Sequence, residues 1–351
     1  MALGFWNIGR EDPDRVAVAL PDGERVTFGE LLGRNNQVVH GLRELGLEVG
    51  DTIATVLPNG LPMIELYLAC FDAGFYITPI NHHLVGPEIA YIIDDCEAKA
   101  VFVHERFADE VTRAAEEIGV PAEARFSVGD VDGFRPYAEL TDGAADTQPE
   151  DRTAGAAMHY TSGTTGRPKG VKRPLNGLDP DIAGELFTGF PQMFGITPLG
   201  DGVHITGSPL YHTAVLHFTG NSLHMGHKVV LMDKWTPEGM LELIERERVT
   251  HSHMVPTQFQ RLLALPEEVR DRYDVSSLSN MVHAAAPCPV ETKHKMLDWW
   301  GPVVYEYYAA TEGGGTTATP EQWLDNLSSH IGGHTAGNQE RKRIAGGGGG
   351  G

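Results

Sequence analysis

The sequence predicts an α/β fold in which mostly parallel sheets are flanked by helices. Between residues 51 and 118, short apolar runs with strand character alternate with segments of helical character. Strands joined through a helix pair in parallel, because the crossover returns the chain to the same end of the sheet. An apolar content of 41% over 351 residues is ordinary for a globular protein and is enough for a sizeable core.

The chain opens with a predicted hairpin between residues 16 and 27, which turns at Asp22 and Gly23. Thr27 and Glu30 then show the spacing of a capping box at the start of a helix. The alternation that follows predicts strands at 51–57, 75–79 and 100–103 and helices at 62–71, 87–94 and 107–118.

Residues 127–154 lack periodicity and are rich in Gly, Asp, Pro and Thr, which predicts a connecting loop. In the second half, Thr236 and Pro237 mark a helix start, and Thr257 with Gln260 predicts a second capping box. The predicted elements there are strands at 228–232 and 249–255 and helices at 214–225 and 236–247.

Charge and cysteine usage exclude several classes of protein. A net charge of −21 argues against a nucleic-acid surface. The three cysteines are far apart and form no Cys-x-x-Cys pair, which predicts a cytoplasmic protein without disulfides. No apolar run approaches the roughly 18 residues of a membrane span. His251 and His253 would share one face of a strand, but no further ligands at zinc spacing accompany them, so we expect core or surface histidines.

The segment Tyr160-Thr-Ser-Gly-Thr-Thr-Gly-Arg-Pro-Lys-Gly170 carries the strongest functional signal. An apolar strand runs into a loop of hydroxyl and Gly residues and then into several bases, which is how proteins hold a polyphosphate. The spacing differs from the common phosphate loop, because Lys169 is followed by Gly170 and not by Ser or Thr. The alternative is a flexible Ser/Thr/Gly linker, which would rarely end in Pro-Lys-Gly-Val.

This segment resembles the phosphate-binding signature of the adenylate-forming (AMP-binding) superfamily, and the chain resembles its acyl-CoA synthetase, or fatty-acid–CoA ligase, branch. Three further segments match that family in the same order along the chain: Pro209–His212, His283–Pro287 and Tyr308–Glu312. Ala309 replaces the Gly that usually follows the Tyr in the last of these. The resemblance implies the large N-terminal domain of an adenylate-forming enzyme.

The resemblance also implies roles for individual residues. The phosphate loop would hold the β- and γ-phosphates of ATP, the turn at 283–287 would stack on adenine, and Glu312 would bind Mg²⁺. The implied catalytic residues are Lys169, His212, Thr311 and Glu312. The implied nucleotide-binding residues are Thr161, Ser162, Gly163, Thr164, Thr165, Gly166, Lys169, Ala285, Ala286, Pro287, Tyr308 and Thr311.

The implied reaction activates a carboxylic acid with ATP to an acyl-adenylate, which the thiol of CoA then converts to a thioester. His212 would lie at the carboxylate pocket, and the apolar segments around Leu216, Phe218 and Val255 predict a fatty acid as the substrate. The expected partners are the acid, ATP and CoA, and a homodimer is compatible with the family.

The resemblance ends near Leu324. We therefore expect an incomplete AMP-binding domain over residues 1–324 and a disordered, Gly-rich tail over 325–351 with no apolar periodicity. The family's C-terminal lid domain has no counterpart in the sequence, so this chain alone is expected to have negligible complete ligase activity.

Two alternatives stay open. The chain is a catalytically incompetent fragment that binds nucleotide or acyl groups, or it is an adenylation domain of another branch, such as those of peptide synthetases. The second alternative lacks a clear Asp to pair with the amine of an amino acid.

Overall fold

The structure is a computed structural model, and it describes residues 1–161, 168–309 and 315–328. Two large sheets and the helices around them make up the described chain. The strands are β1 (Val16–Ala19), β2 (Arg25–Thr27), β3 (Thr52–Val56), β4 (Tyr76–Pro79), β5 (Ala98–His104), β6 (Arg125–Val128), β7 (Arg135–Pro136), β8 (Ala156–Ala157), β9 (His159–Thr161), β10 (Lys169–Val171), β11 (Val203–Thr206), β12 (Lys228–Leu231), β13 (His251–Met254), β14 (Asn280–His283), β15 (Val304–Ala309) and β16 (Gly315–Ala318).

The helices follow the strands in the predicted alternation. They are α1 (Phe5–Glu11), α2 (Phe28–Glu44), α3 (Leu61–Ala73), α4 (Gly86–Asp95), α5 (Ala108–Glu117), α6 (Pro180–Phe187), α7 (Gly189–Gln192), α8 (Thr213–His224), α9 (Pro237–Glu247), α10 (Pro256–Leu263), α11 (Glu267–Arg270), α12 (Val290–Trp300) and α13 (Pro320–Ser328). None of the helices in the described ranges is long and apolar enough to cross a membrane.

The parallel α/β fold predicted from the sequence is confirmed, with two large sheets. The first sheet has the strand order β7-β6-β5-β3-β4-β8, and all of its pairings are parallel. The second has the order β16-β15-β14-β13-β11-β12-β1-β2 and is antiparallel only at its two edges. The predicted hairpin forms one of those edges, so the start of the chain completes a sheet built mainly by its second half.

Helix α3 lies at the centre of the molecule. It is apolar on nearly all sides, and every residue from Met63 to Ala73 is buried. A helix of this kind must be surrounded by protein, and α3 packs against α2 and α8. Gly220 of α8 permits this close approach, because a Cβ there would lie 2.4 Å from the ring of Tyr67.

The segment 127–154, predicted as a loop, is mostly irregular but contains β7 and a turn of 3-10 helix at Tyr137–Leu140. A buried ion pair fixes its end. Arg152 Nε donates to Asp72 Oδ1 at 2.6 Å, and the two side chains are 5% and 0% exposed. Since a buried charge without a partner is costly, this pair ties the segment to α3.

One predicted capping box is confirmed and the other is wrong. Thr27 N–H donates to Glu30 Oε2 at 2.8 Å, and Glu30 N–H donates to Thr27 Oγ1 at 3.2 Å. The box predicted at Thr257 does not form, because α10 begins earlier, at Pro256. Proline is already in the helical φ at this first position, which leaves Thr257 inside the first turn.

Helix α6 was not predicted, although Asp179 followed by Pro180 is a helix-start pattern; Asp179 accepts a hydrogen bond from the Asp181 N–H. Helix α13 runs to Ser328 and so passes the boundary predicted at Leu324. The remainder of the predicted tail lies outside the described residues.

Several histidines are buried in the second sheet, where the sequence predicted core or surface positions. The rings of His204 and His227 each lie 5.0 Å from the ring of His251. Within the described ranges, no group of three or more His, Cys, Asp or Glu side chains is arranged to hold a metal ion. Burial lowers the pKa of His204 to about 3 and that of His227 to about 4, so these rings are neutral in the folded protein.

These neutral histidines predict that the protein loses stability in mild acid. An unfolded histidine binds a proton below about pH 6.5, whereas the buried ones do not. The contribution of these rings to the free energy of unfolding is therefore complete above that pH and is lost as the pH falls. Between pH 6.5 and 5, the loss is about 2 kcal/mol for each fully buried ring. Urea unfolding at pH 7.5 and pH 5.0 should show a fall of several kcal/mol in the free energy of unfolding.

Replacing the fully buried His204 by Asn should reduce this pH dependence more than replacing the half-buried His40 by Asn. Equal free energies of unfolding at the two pH values would contradict the prediction.

Candidate active site

One large cavity opens where the parallel strands of the second sheet end. Its volume is about 1220 Å³. The segments that leave the carboxyl ends of β11, β13 and β14 line it, and so do parts of β15 and of the cavity-facing side of α8. Ligands of α/β proteins bind at this edge of a sheet, because the loops there converge on one crevice.

The cavity brings together site residues predicted from distant parts of the sequence. His212 lies on its wall at the start of α8, where its ring packs 4.4 Å from that of Tyr211. Burial lowers the pKa of His212, so its imidazole is neutral near pH 7. Of the apolar residues predicted around the acid, Phe218 and Val255 line the cavity. Leu216 does not, because it points to the opposite side of α8 and is fully buried in the core.

The predicted adenine-stacking turn also lies on the cavity wall. Ala285, Ala286 and Pro287 line it, and Tyr308 projects beside them with 75% of its side chain exposed. Ala285 has a φ of 73°, a left-handed conformation that costs a non-glycine residue about 1–2 kcal/mol. Strain of this kind is concentrated at functional sites.

A two-stranded antiparallel ribbon, β9 paired with β10, frames the predicted phosphate loop. Lys169 is exposed and lies opposite Thr161 in the register of that ribbon. Gly170 is required where it stands, because a Cβ there would lie 2.4 Å from Met158 and 2.8 Å from the ring of Tyr160.

Much of the predicted phosphate and metal site lies outside the described residues. Lys169 is not among the residues that line the described cavity, and only the strand position of Thr161 is described. The predicted site residues outside the described ranges are Ser162, Gly163, Thr164, Thr165, Gly166, Thr311 and Glu312. Their contacts with ATP and Mg²⁺ therefore remain predictions.

Comparison with known proteins identifies the family. A family model described as AMP-binding enzyme matches residues 5–342. The chain belongs to the AMP-binding enzyme family. It is 30% identical over 305 residues to a feruloyl-CoA synthase of Amycolatopsis sp, a match that covers 84% of this chain and 57% of that protein. It is also 30% identical over 325 residues to a 2-succinylbenzoate–CoA ligase of Bacillus licheniformis, covering 90% of this chain and 62% of the ligase.

Two solved structures share the fold. The N-terminal domain of FACL13 from Mycobacterium tuberculosis superimposes with a TM-score of 0.76 at 23% identity, covering 92% of this chain and 80% of that domain. ATP-bound MatB from Rhodopseudomonas palustris gives 0.72 at 27% identity, covering 91% of this chain and 62% of MatB. The chain thus spans about 57–62% of the length of the feruloyl-CoA synthase and the 2-succinylbenzoate–CoA ligase.

The loop that carries His212 in this AMP-binding chain is held by a residue that sequence analysis missed. The Asn59 amide donates to the carbonyls of Ser208 and Met232, both at 3.0 Å, and its Oδ1 accepts from the Leu210 N–H at 2.9 Å. Asn59 is only 9% exposed. The sequence showed only a Pro-Asn-Gly turn, a pattern that gives no sign of distant partners.

Sequence analysis also missed a buried lysine beside the predicted adenine-stacking turn. Lys293 is 0% exposed, and its Nζ donates to Glu306 Oε2 at 2.8 Å. Burial lowers the pKa of Lys293, and Glu306 opposes that shift. Glu306 lines the cavity next to His283, whose pKa falls to about 3 through burial and the nearby charge of Lys293. The available signal was the position of Lys293 on the stripe of α12 that also carries Met296, Leu297 and Trp300.

Removing Asn59 should destabilise the fold at the edge of the cavity. Asn59→Ala leaves two buried carbonyls and one N–H without their partner, which predicts a loss of about 2–4 kcal/mol in the free energy of unfolding. Urea unfolding measures it. Asn176→Ala is the matched control, because this exposed amide makes one local hydrogen bond, to the Leu178 N–H. Losses of equal size in the two variants would show that Asn59 does not hold the loop.

Two lysines on α12 give a matched test of the buried ion pair. Lys293→Met removes a hydrogen bond to the carboxylate of Glu306, which is 33% exposed and so partly solvated, and we expect a loss of about 1–2 kcal/mol in stability. Lys295→Met removes an exposed pair with Glu291 and should cost less than about 0.5 kcal/mol. Thermal and urea unfolding measure the loss of stability in each variant. Losses of similar size in the two variants would contradict the prediction.

Proposed function

We propose that the protein activates a carboxylic acid with ATP to an acyl-adenylate, which then reacts with CoA to give an acyl-CoA thioester. The observation that supports this most is the convergence of three separate motifs on one cavity. His212, the turn at 285–287 and Tyr308 lie far apart in sequence and line the same space. Relatives named as CoA synthases and ligases share the family.

The described residues suit the binding of a nucleotide and of a carboxylate. Tyr308 offers an exposed ring, and the three residues 285–287 have side chains short enough for a base to lie between them and that ring. His212 lies elsewhere on the wall, where a neutral imidazole can orient the carboxylate by a hydrogen bond.

In the proposed chemistry, a carboxylate oxygen attacks the α-phosphorus of ATP and pyrophosphate leaves. The sulfur of CoA then attacks the acyl carbon and AMP leaves. Charge on the departing phosphates must be neutralised, a role proposed for Lys169 and the loop from Thr161 to Gly166. Mg²⁺, proposed at Glu312, would supply further positive charge.

A fatty acid, an aromatic acid or another apolar acid would each fit a cavity of this size. We place the reaction in the cytoplasm, because Cys70, Cys96 and Cys288 are all free thiols.

The proposal predicts that the nucleotide binds against Tyr308. Tyr308→Ala should weaken ATP binding about 5- to 150-fold, because stacking of a base on an aromatic ring is worth about 1–3 kcal/mol. Tyr308→Phe keeps the ring and should bind ATP nearly as tightly as the parent. Isothermal titration with the full chain measures both, and equal losses in the two variants would remove the stacking role.

Pyrophosphate–ATP exchange with a panel of fatty, aromatic and amino acids tests the reaction itself. Exchange that depends on fatty or aromatic acids supports the proposed function. Silence together with measurable ATP binding supports a non-catalytic binding role, and dependence on amino acids supports an adenylation domain of another branch.

A further inference from the structure

The ribbon that frames the predicted phosphate loop depends on other elements for its shape. Strands β9 and β10 have three residues each and form a separate two-stranded sheet in the described chain. A two-stranded hairpin is at best marginally stable in water, and it needs packing against other elements. The position of Lys169, the first residue of β10, is therefore set by the contacts that anchor the ribbon to the rest of the chain.

The last turn of α4 holds both strands of this ribbon. The Tyr91 hydroxyl donates to the Pro168 carbonyl at 3.2 Å, and the Tyr160 hydroxyl donates to Asp95 Oδ2 at 2.5 Å. Tyr91 and Asp95 are four residues apart, so they lie on the same side of the helix. Because Pro168 directly precedes Lys169, this one turn of helix fixes the start of β10 as well as the middle of β9.

The hydrogen bond between Tyr160 and Asp95 is of a strong kind. A hydroxyl that donates to an ionised carboxylate makes a shorter and about twofold stronger hydrogen bond than a neutral pair does. Burial raises the pKa of Tyr160, and so does the bond to Asp95, so the hydroxyl keeps its proton and remains the donor. Asp95 does not stabilise α4 itself, because the dipole of a helix disfavours a carboxylate in the last turn.

Strand β4 of the first sheet holds the other end of β10. The Tyr76 hydroxyl donates to the Arg173 carbonyl at 2.6 Å, two residues beyond the strand. The Lys172 ammonium lies 4.6 Å from the centre of the Tyr76 ring, which is a cation–π contact. Strand β10 is thus anchored on both sides, by α4 before Lys169 and by β4 after Val171.

We infer that Tyr91 and Asp95 are positioning residues that hold Lys169 in place for the departing phosphates of ATP. This inference rests on the function proposed above, in which Lys169 neutralises charge on those phosphates. The two residues act through the ribbon, and neither lines the large cavity. A misplacement of about 1 Å at a reacting site can cost about 100-fold in rate, so the anchoring of a charged side chain bears directly on its function.

A comparison of ATP with AMP tests the inference, because AMP lacks the phosphates that Lys169 would contact. Isothermal titration of the full chain with ATP and Mg²⁺, and with AMP, compares the parent with Asp95→Ala and Tyr160→Phe. In both variants we expect ATP to bind at least about tenfold more weakly and AMP to bind within about twofold of the parent. A general loss of structure would instead weaken the binding of both nucleotides.

The second contact of α4 has its own test. Tyr91→Phe removes only the hydroxyl that donates to the Pro168 carbonyl, and the ring stays in place. A hydrogen bond between neutral groups is weaker than one to a carboxylate, so ATP should bind about two- to tenfold more weakly and AMP as in the parent.

Two control variants separate the hydrogen bond from other effects. Asp95→Asn keeps an acceptor for the Tyr160 hydroxyl and should bind ATP within about threefold of the parent. Asp94→Ala removes the same charge from the same turn of α4. Asp94 is exposed and its side chain makes no hydrogen bond within the described residues, so ATP binding should not change.

Two results would overturn the positioning role. One is a loss that is equal for ATP and AMP in Asp95→Ala, or no loss for either nucleotide. The other is an equal loss of ATP binding in Asp94→Ala and Asp95→Ala, because charge and not the hydrogen bond would then be responsible. A parent that binds neither nucleotide would instead reject the proposed function, and this inference with it.

Discussion

The buried amide of Asn59 joins the two large sheets at the edge where their parallel strands end. It follows β3 in the first sheet and hydrogen-bonds to the segments that follow β11 and β12 in the second. All of these segments belong to the same side of the molecule, because the carboxyl ends of parallel strands share an edge. The cavity exists because two sheets meet there, and its shape depends on how firmly they are held together.

Some polar side chains in the core lie next to the cavity. Lys293 and Glu306 form an ion pair beside the predicted adenine-stacking turn, and the neutral ring of His283 lies against Glu306. Each charge needs the other as its partner, so the pair ties α12 to β15. The register that sets His283 opposite Glu306 in β14 and β15 thus also fixes the wall on which Tyr308 lies.

The sequence was sufficient to predict the alternation of strands and helices, because the spacing of apolar residues differs between a strand and a helix. It did not show the division into two sheets, since the pairing of β1 with β12 joins segments about 200 residues apart. The motifs at His212, Ala285 and Tyr308 could be found because each has a recognisable local pattern. Asn59 and Lys293 could not, because their roles depend on partners that only the folded chain brings near.

Helix α8 combines the structural and the binding requirements of this fold. One of its faces is fixed by core contacts, through Gly220 against Tyr67 and Leu216 in the apolar interior. Another face carries His217 and Asn221 into the cavity. Because core contacts hold one face of the helix, they also fix the positions of the residues that its other face places on the cavity wall.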